Sequence, residues 1–148
     1  MIRRLIDKAL ASKDEVLIIL ALDWAKAFDS ISPDALCSAL SRFGVNTRMV
    51  AIIRQIYNNR VFQVRWDGDT SKYHTQYFGI SQGCPLSPFL FSILMTIMIH
   101  DCRQHFDSFS DGLQELLDTD DTLLVGQHPG LVQRYMQIIS DEGRKYIL

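Results

Sequence analysis

Asp23 closes an apolar run, Val16-Leu-Ile-Ile-Leu-Ala-Leu22, and Asp120 and Asp121 stand side by side in a predicted tight turn between two further apolar stretches. Carboxylates at strand ends and hairpin tips converge readily from distant parts of a chain. Three hard oxygen ligands gathered in this way suit two Mg²⁺ ions, or Mn²⁺, held about 3.5–4 Å apart. Such a pair clamps the attacking and leaving oxygens of an in-line displacement. Clustered negative charge also needs a cation to offset it. Taken singly, each aspartate reads as an ordinary cap or turn residue, so the case depends on what surrounds them.

The elements that would carry them follow from periodicity and punctuation. Ile2 to Leu10 has Ile2, Leu5, Ile6 and Ala9 on one face of a predicted helix. Val16 to Leu22 reads as a fully buried strand. Ser32-Pro33 opens a helix with an N-cap and a first-turn proline, and Gly44 closes it. Asn46 or Thr47 caps the next helix, which buries Val50, Ile53 and Tyr57. Extended stretches from Val61 to Arg65 and from Lys72 to Phe78 flank a turn at Trp66-Asp67-Gly68-Asp69, a strong hairpin signal. Gly79 to Pro88 is a loop, and Phe89 to about His105 an apolar helix with Met95 and Met98 as core filling. Leu113 to Leu117 and Thr122 to Gly126 are strands around the Asp118–Asp121 turn, and Leu131 to about Ile147 is a closing helix. This order predicts an α+β fold, helices layered on an antiparallel sheet.

Composition narrows the class. The chain has 148 residues, 47% hydrophobic and 22% charged, the balance of a globular domain. Its net charge of −2 means that a nucleic-acid partner must meet a local basic patch. Six basic residues and two acidic ones lie between Arg42 and Lys72, with Arg48, Arg54, Arg60 and Arg65 as the candidate nucleic-acid contacts. Three cysteines, Cys37, Cys84 and Cys102, make a sparse odd set. They point away from a secreted disulfide scaffold and toward an intracellular setting, in cytoplasm or nucleus. No membrane partner is expected, since the longest apolar stretch, Phe89 to Ile99, falls short of the ~20 residues a bilayer needs.

Three motifs occur in order: Asp23-Trp-Ala-Lys-Ala-Phe28-Asp29, then Gly79-Ile-Ser-Gln82-Gly83-Cys-Pro85-Leu-Ser-Pro88, then Thr119-Asp120-Asp121-Thr122-Leu-Leu-Val. Together they resemble the palm of a reverse transcriptase, and the central wording is similar to the non-LTR (LINE-type) retrotransposon branch. The resemblance implies a polymerase palm-like antiparallel sheet with helices on one face. It also implies RNA-directed DNA synthesis, with an RNA template, a DNA primer and deoxynucleoside triphosphates as partners. By the same resemblance Asp23 and Asp120 bind both catalytic metals beside Asp121. Phe28 lies under the incoming sugar, and Gln82 and Gly83 border the incoming nucleotide and the template base.

Two features depart from that family. Asp118 and Thr119 precede the aspartate pair where the family usually has an aromatic residue and then a small or apolar one. An extra carboxylate there raises proton affinity in the cluster, so weak or lost activity is expected. The 148 residues are also expected to be a partial domain, palm with part of the fingers and without a thumb. Two other readings fit some of the residues. One is a non-catalytic nucleic-acid-binding remnant. The other is a haloacid-dehalogenase-type phosphatase, which Asp118-Thr-Asp120-Asp-Thr-Leu resembles, with Asp118 as nucleophile and Asp120 as acid/base; that motif opens a doubly wound domain.

Overall fold

A computed structural model describes residues 2–11, 16–106, 113–118 and 121–146. They form two compact units: Met1–Ala25 with Ile99–Glu142, and Lys26–Met98 with Gly143–Leu148. The element order is α1 (Ile2–Ala11), β1 (Ile18–Asp23), α2 (Pro33–Phe43), α3 (Thr47–Tyr57), β2 (Arg60–Phe62), β3 (Arg65–Trp66), β4 (Asp69–Thr70), β5 (His74–Gln76), α4 (Ser87–Gln104), β6 (Gln114–Asp118), β7 (Asp121–Gly126) and α5 (Pro129–Gly143).

In the Lys26–Met98 unit, local signals decide most boundaries. The Ser32 hydroxyl accepts from the Ala35 amide, Pro33 opens α2, and Gly44 ends it in the left-handed region at φ 97°. The Asn46 side chain accepts from Arg48 N and starts α3, whose Val50, Ile53 and Tyr57 are buried as their spacing predicts. Asp67 and Gly68 both have positive φ, 48° and 88°, as a two-residue hairpin turn of type I′ requires. That turn joins β3 to β4 only; the longer extended stretches meet in a separate ladder, β2 with β5. The single predicted hairpin is therefore two short ladders in succession. Tyr77 is 63% exposed, because it lies past the end of β5. α4 starts at Ser87, two residues before the predicted Phe89, since a first-turn proline leaves helix geometry intact.

The other unit is built on an antiparallel sheet of order β1-β7-β6. Its register pairs Leu20 with Leu124, Leu22 with Thr122 and Asp23 with Asp121. β1 is an edge strand here, and its residues alternate between half-buried and exposed, with Ile19 at 43% exposure. The expectation of a fully buried strand fails: a continuous apolar run marks burial on both faces only in a central strand. Leu124 is fully buried, while Met136 and Ile139 of α5 line a pocket with Leu22, Asp23, Trp24 and Ser140. Gly126 lets α5 come close, as a Cβ there would meet Val132 Cγ2 at 2.8 Å. α5 ends at Gly143, earlier than the predicted Ile147, which lies outside the described residues. An all-antiparallel sheet also rules out the doubly wound phosphatase reading. No described helix is long and apolar enough to cross a membrane.

Candidate active site

β1 ends at Asp23 and β7 begins at Asp121, and the ladder sets them directly opposite one another. Opposed residues of an antiparallel pair share a face, with Cβ atoms about 5 Å apart. Both are exposed. The ladder extends farther than the sequence suggests, because β6 runs on to Asp118 and pairs it with Asp121. Of the four residues expected in the turn, Asp118 and Asp121 belong to the ladder, and Thr119 and Asp120 lie outside the described residues. The Asp118 backbone stands opposite Asp121 on one side while Asp23 stands opposite on the other.

Trp24 extends this end of the sheet. Its Nε1 donates to Thr122 Oγ1 at 3.0 Å, joining the residue after Asp23 to the residue after Asp121. The donor chemistry of the Asp23–Asp121 pair suits Mg²⁺, which prefers hard carboxylate oxygen. Among the described residues no group of three or more metal-capable side chains gathers, and Asp120 lies outside the described residues.

Phe28, Gln82 and Gly83 belong to the Lys26–Met98 unit. Phe28 is half-buried and stacks on Phe91, ring centroids 4.8 Å apart. Its carbonyl accepts from Ile80 N at 2.7 Å, and the Ile31 carbonyl accepts from Gly79 N at 2.7 Å. The Gly79–Ser87 loop is thus stitched to the segment that carries Phe28. Gly79, at φ 88°, is required twice over, since a Cβ would sit 2.7 Å from the Asp29 carbonyl oxygen. Gly83 has φ 79° with open space around it, so its backbone can be approached. Gln82 is exposed, and its Nε2 donates to both Asp29 carboxylate oxygens at 3.2 and 3.3 Å. Asp29 went unnoticed as a site residue because its partner is 53 positions away. The signal available was its place at the end of the Asp23–Asp29 motif.

Cys84 sits in the same loop. The Leu86 N–H, followed by contacts from Ser87 and Tyr57, holds its thiol below the usual cysteine range. Cys102 in the sheet unit goes the other way, pushed up to about 12 by burial and then by Glu142, Glu115 and Asp101.

The four candidate arginines divide. Arg48 and Arg65 are exposed, on α3 and β3. Arg54 is bonded to Asp34 in the first turn of α2, and that hydrogen bond holds its guanidinium above its ordinary range. Arg60 turns inward to the loop, bonding the Ser81 hydroxyl and the Gly79 carbonyl.

The reverse transcriptase (RNA-dependent DNA polymerase) family profile matches residues 2–148. The chain is 34% identical, over 74 residues, to a retrovirus-related Pol polyprotein from the type-2 retrotransposable element R2DM of Drosophila melanogaster. It is 30% identical, over 87 residues, to one from the type-1 retrotransposable element R2 of Popillia japonica. These alignments cover 50% and 59% of this chain, but the chain spans only 7% and 14% of those relatives. A solved telomerase from Candida albicans, in complex with a TWJ fragment of telomeric RNA, has the same fold over 94% of this chain and 27% of its own. The TM-score is 0.68 at 20% identity. The profile match over residues 2–148 shows that the chain belongs to the reverse transcriptase family, as a partial reverse transcriptase domain of a non-LTR retrotransposon.

Proposed function

We propose that residues 1–148 are the palm, with part of the fingers, of an intracellular enzyme that copies RNA into DNA. The primer 3′-hydroxyl attacks the α-phosphate of a deoxynucleoside triphosphate. A new O–P bond forms, the bridging P–O bond to pyrophosphate breaks, and the hydroxyl proton departs. The observation that supports this most is the direct opposition of Asp23 and Asp121 on neighbouring strand ends. Asp23, Asp121 and the undescribed Asp120 would hold two divalent cations. When bound, these lower the pKa of the primer hydroxyl and offset charge on the leaving group. The chain's own residues do the rest. The β1–β7 register holds the backbones of Asp23 and Asp121 opposite one another, so the sheet and not the substrate brings the two residues together. Phe28, fixed by its stack on Phe91, presents bulk beneath the sugar and rejects a 2′-hydroxyl. Gln82, held by Asp29, and Gly83 border the nucleotide, while Arg48 and Arg65 meet phosphates.

Asp118 acts against this chemistry. Its backbone pairs with that of Asp121, and an aspartate stands there where the family usually has an aromatic residue, so extension by this chain is slow or absent. Primer extension on an RNA template with Mg²⁺ or Mn²⁺ tests the whole reading. The variant Asp118→Tyr/Thr119→Ala is expected to extend at least ~10-fold faster than the natural chain, and adding Asp23→Asn to abolish it, at about 10²-fold or more. Equal rates with and without the restored pair remove the inhibitory role of Asp118. No extension by either, with RNA binding that weakens steeply in salt, selects the non-catalytic binding module instead.

A further inference from the structure

Arg60 opens β2 and by residue type alone belongs with the phosphate-binding arginines. Its neighbours give it a different task. One guanidinium nitrogen donates to the Ser81 hydroxyl and the other to the Gly79 carbonyl at 2.7 Å, while the carbon between them lies 4.8 Å from the centre of the Tyr57 ring. The buried Tyr57 hydroxyl is 3.3 Å from Ser87 Oγ, which itself donates to the Ser81 carbonyl at 2.6 Å. The contacts close a circuit from guanidinium to Ser81, to Ser87, to Tyr57, and from the Tyr57 ring back to the guanidinium. Only a planar fork that also stacks on an aromatic face satisfies the hydroxyl, the carbonyl and the ring together; an ammonium does not.

We infer that Arg60 is a positioning residue for the Gly79–Ser87 loop and not a nucleic-acid contact: it locks the shape in which Gln82 and Gly83 are presented. The functional consequence rests on reading Gln82 and Gly83 as the border of the nucleotide, whereas the latch itself does not. Two of the guanidinium's five N–H donors serve the loop and its Nε is buried, so the loop and the Tyr57 ring set its orientation.

The test uses the full chain with Arg60→Lys, Tyr57→Phe and Arg48→Ala. Hydrogen exchange is read at the amides of Ile80, Cys84 and Ser87 against those of α2. Binding is read with a fluorescein-labelled single-stranded RNA at about 50 and 200 mM salt and with a deoxynucleoside triphosphate in Mg²⁺. Arg60→Lys keeps the charge and Tyr57→Phe never had one. Both should speed loop exchange by about 10-fold or more, leave α2 unchanged and alter RNA affinity less than about 2-fold. Arg48→Ala should do the reverse, weakening RNA binding and its salt slope while the loop stays protected. Unchanged loop exchange in Arg60→Lys overturns the inference, as does a loss of RNA affinity to match Arg48→Ala. The nucleotide arm separates the two readings. A loosened loop with unchanged triphosphate affinity keeps the latch and removes Gln82 and Gly83 from the nucleotide site. A protected loop with weakened triphosphate affinity removes the latch and keeps them there.

Discussion

Two regions of the molecule, one in each unit, are held in place by different means. The Gly79–Ser87 loop is tied by backbone bonds to Phe28 and Ile31, by Gln82 to Asp29, and by Arg60 and Ser87 across its own width. The carboxylates Asp23 and Asp121 are placed by the register of β1 and β7, with like charges face to face. A loop has no ladder to define it, so side chains must fix its shape, and any one of them is costly to lose. A strand end inherits its position from the sheet, which leaves the side chain available for chemistry. Substitutions in the loop should therefore act through stability, and substitutions of the carboxylates through activity.

Gly79→Ala should give the largest stability effect. The new Cβ meets the Asp29 carbonyl oxygen at 2.7 Å and its Cα at 2.9 Å, backbone atoms that cannot swing aside, and φ is 88°. Strain plus the shift of Asp29 should lower the unfolding free energy by about 3 kcal/mol in urea titration. Gly83→Ala isolates the conformational part, as φ is 79° but nothing lies within 4 Å. It should cost about 1 kcal/mol. Equal losses at the two positions would mean that the loop's tie to Asp29 contributes nothing.

The same contrast explains what could be read from the residues alone. Ser32-Pro33, Gly44, Asn46 and Asp67-Gly68 announce themselves because caps and turns depend on near neighbours, and they lie where periodicity puts them. The three motifs carry the family and the palm fold because they preserve order and spacing. What failed to show depends on distant partners. Nothing in Val16–Leu22 reveals that β1 is an edge strand, since an apolar run is the same whether one side of it is paired or both. The extra rung from Asp118 to Asp121 depends on pairing energy that outlasts the turn signal. Arg60 looks like any surface cation until Ser81 and Gly79, about twenty residues on, are seen to claim it.

The cysteines provide a smaller probe of the two environments. Only the thiolate is alkylated, so reactivity follows both access and acidity. Cys84, partly exposed and lowered by loop N–H groups, should reach half its maximal iodoacetamide rate at a lower pH than a free thiol. Cys102, buried and raised to about 12, should stay unmodified until the chain unfolds. Arg60→Lys should move the Cys84 profile back toward the free thiol, because a loosened loop no longer aims its N–H groups at the sulfur. A profile that stays put would show that those N–H groups are fixed without the latch.

Asp23→Asn should have the smallest effect on stability and the most informative sign. Like charges directly opposite on paired strands destabilise, so removing one should raise the unfolding free energy slightly, by about 0.3 kcal/mol at low salt, seen as a higher urea midpoint with the slope unchanged. Salt should shrink the difference, since both groups are exposed and the repulsion is screened. Mg²⁺ should reverse it. A cation that binds the native pair stabilises the natural chain by about 1.4 kcal/mol at ten times its dissociation constant, and the variant, lacking one carboxylate, gains less. If Asp23→Asn instead costs 1 kcal/mol or more without Mg²⁺, and Mg²⁺ makes no difference, Asp23 is a capping residue at the end of β1. The contrast between a loop fixed by its side chains and carboxylates left available by the sheet would then fail at its most important residue.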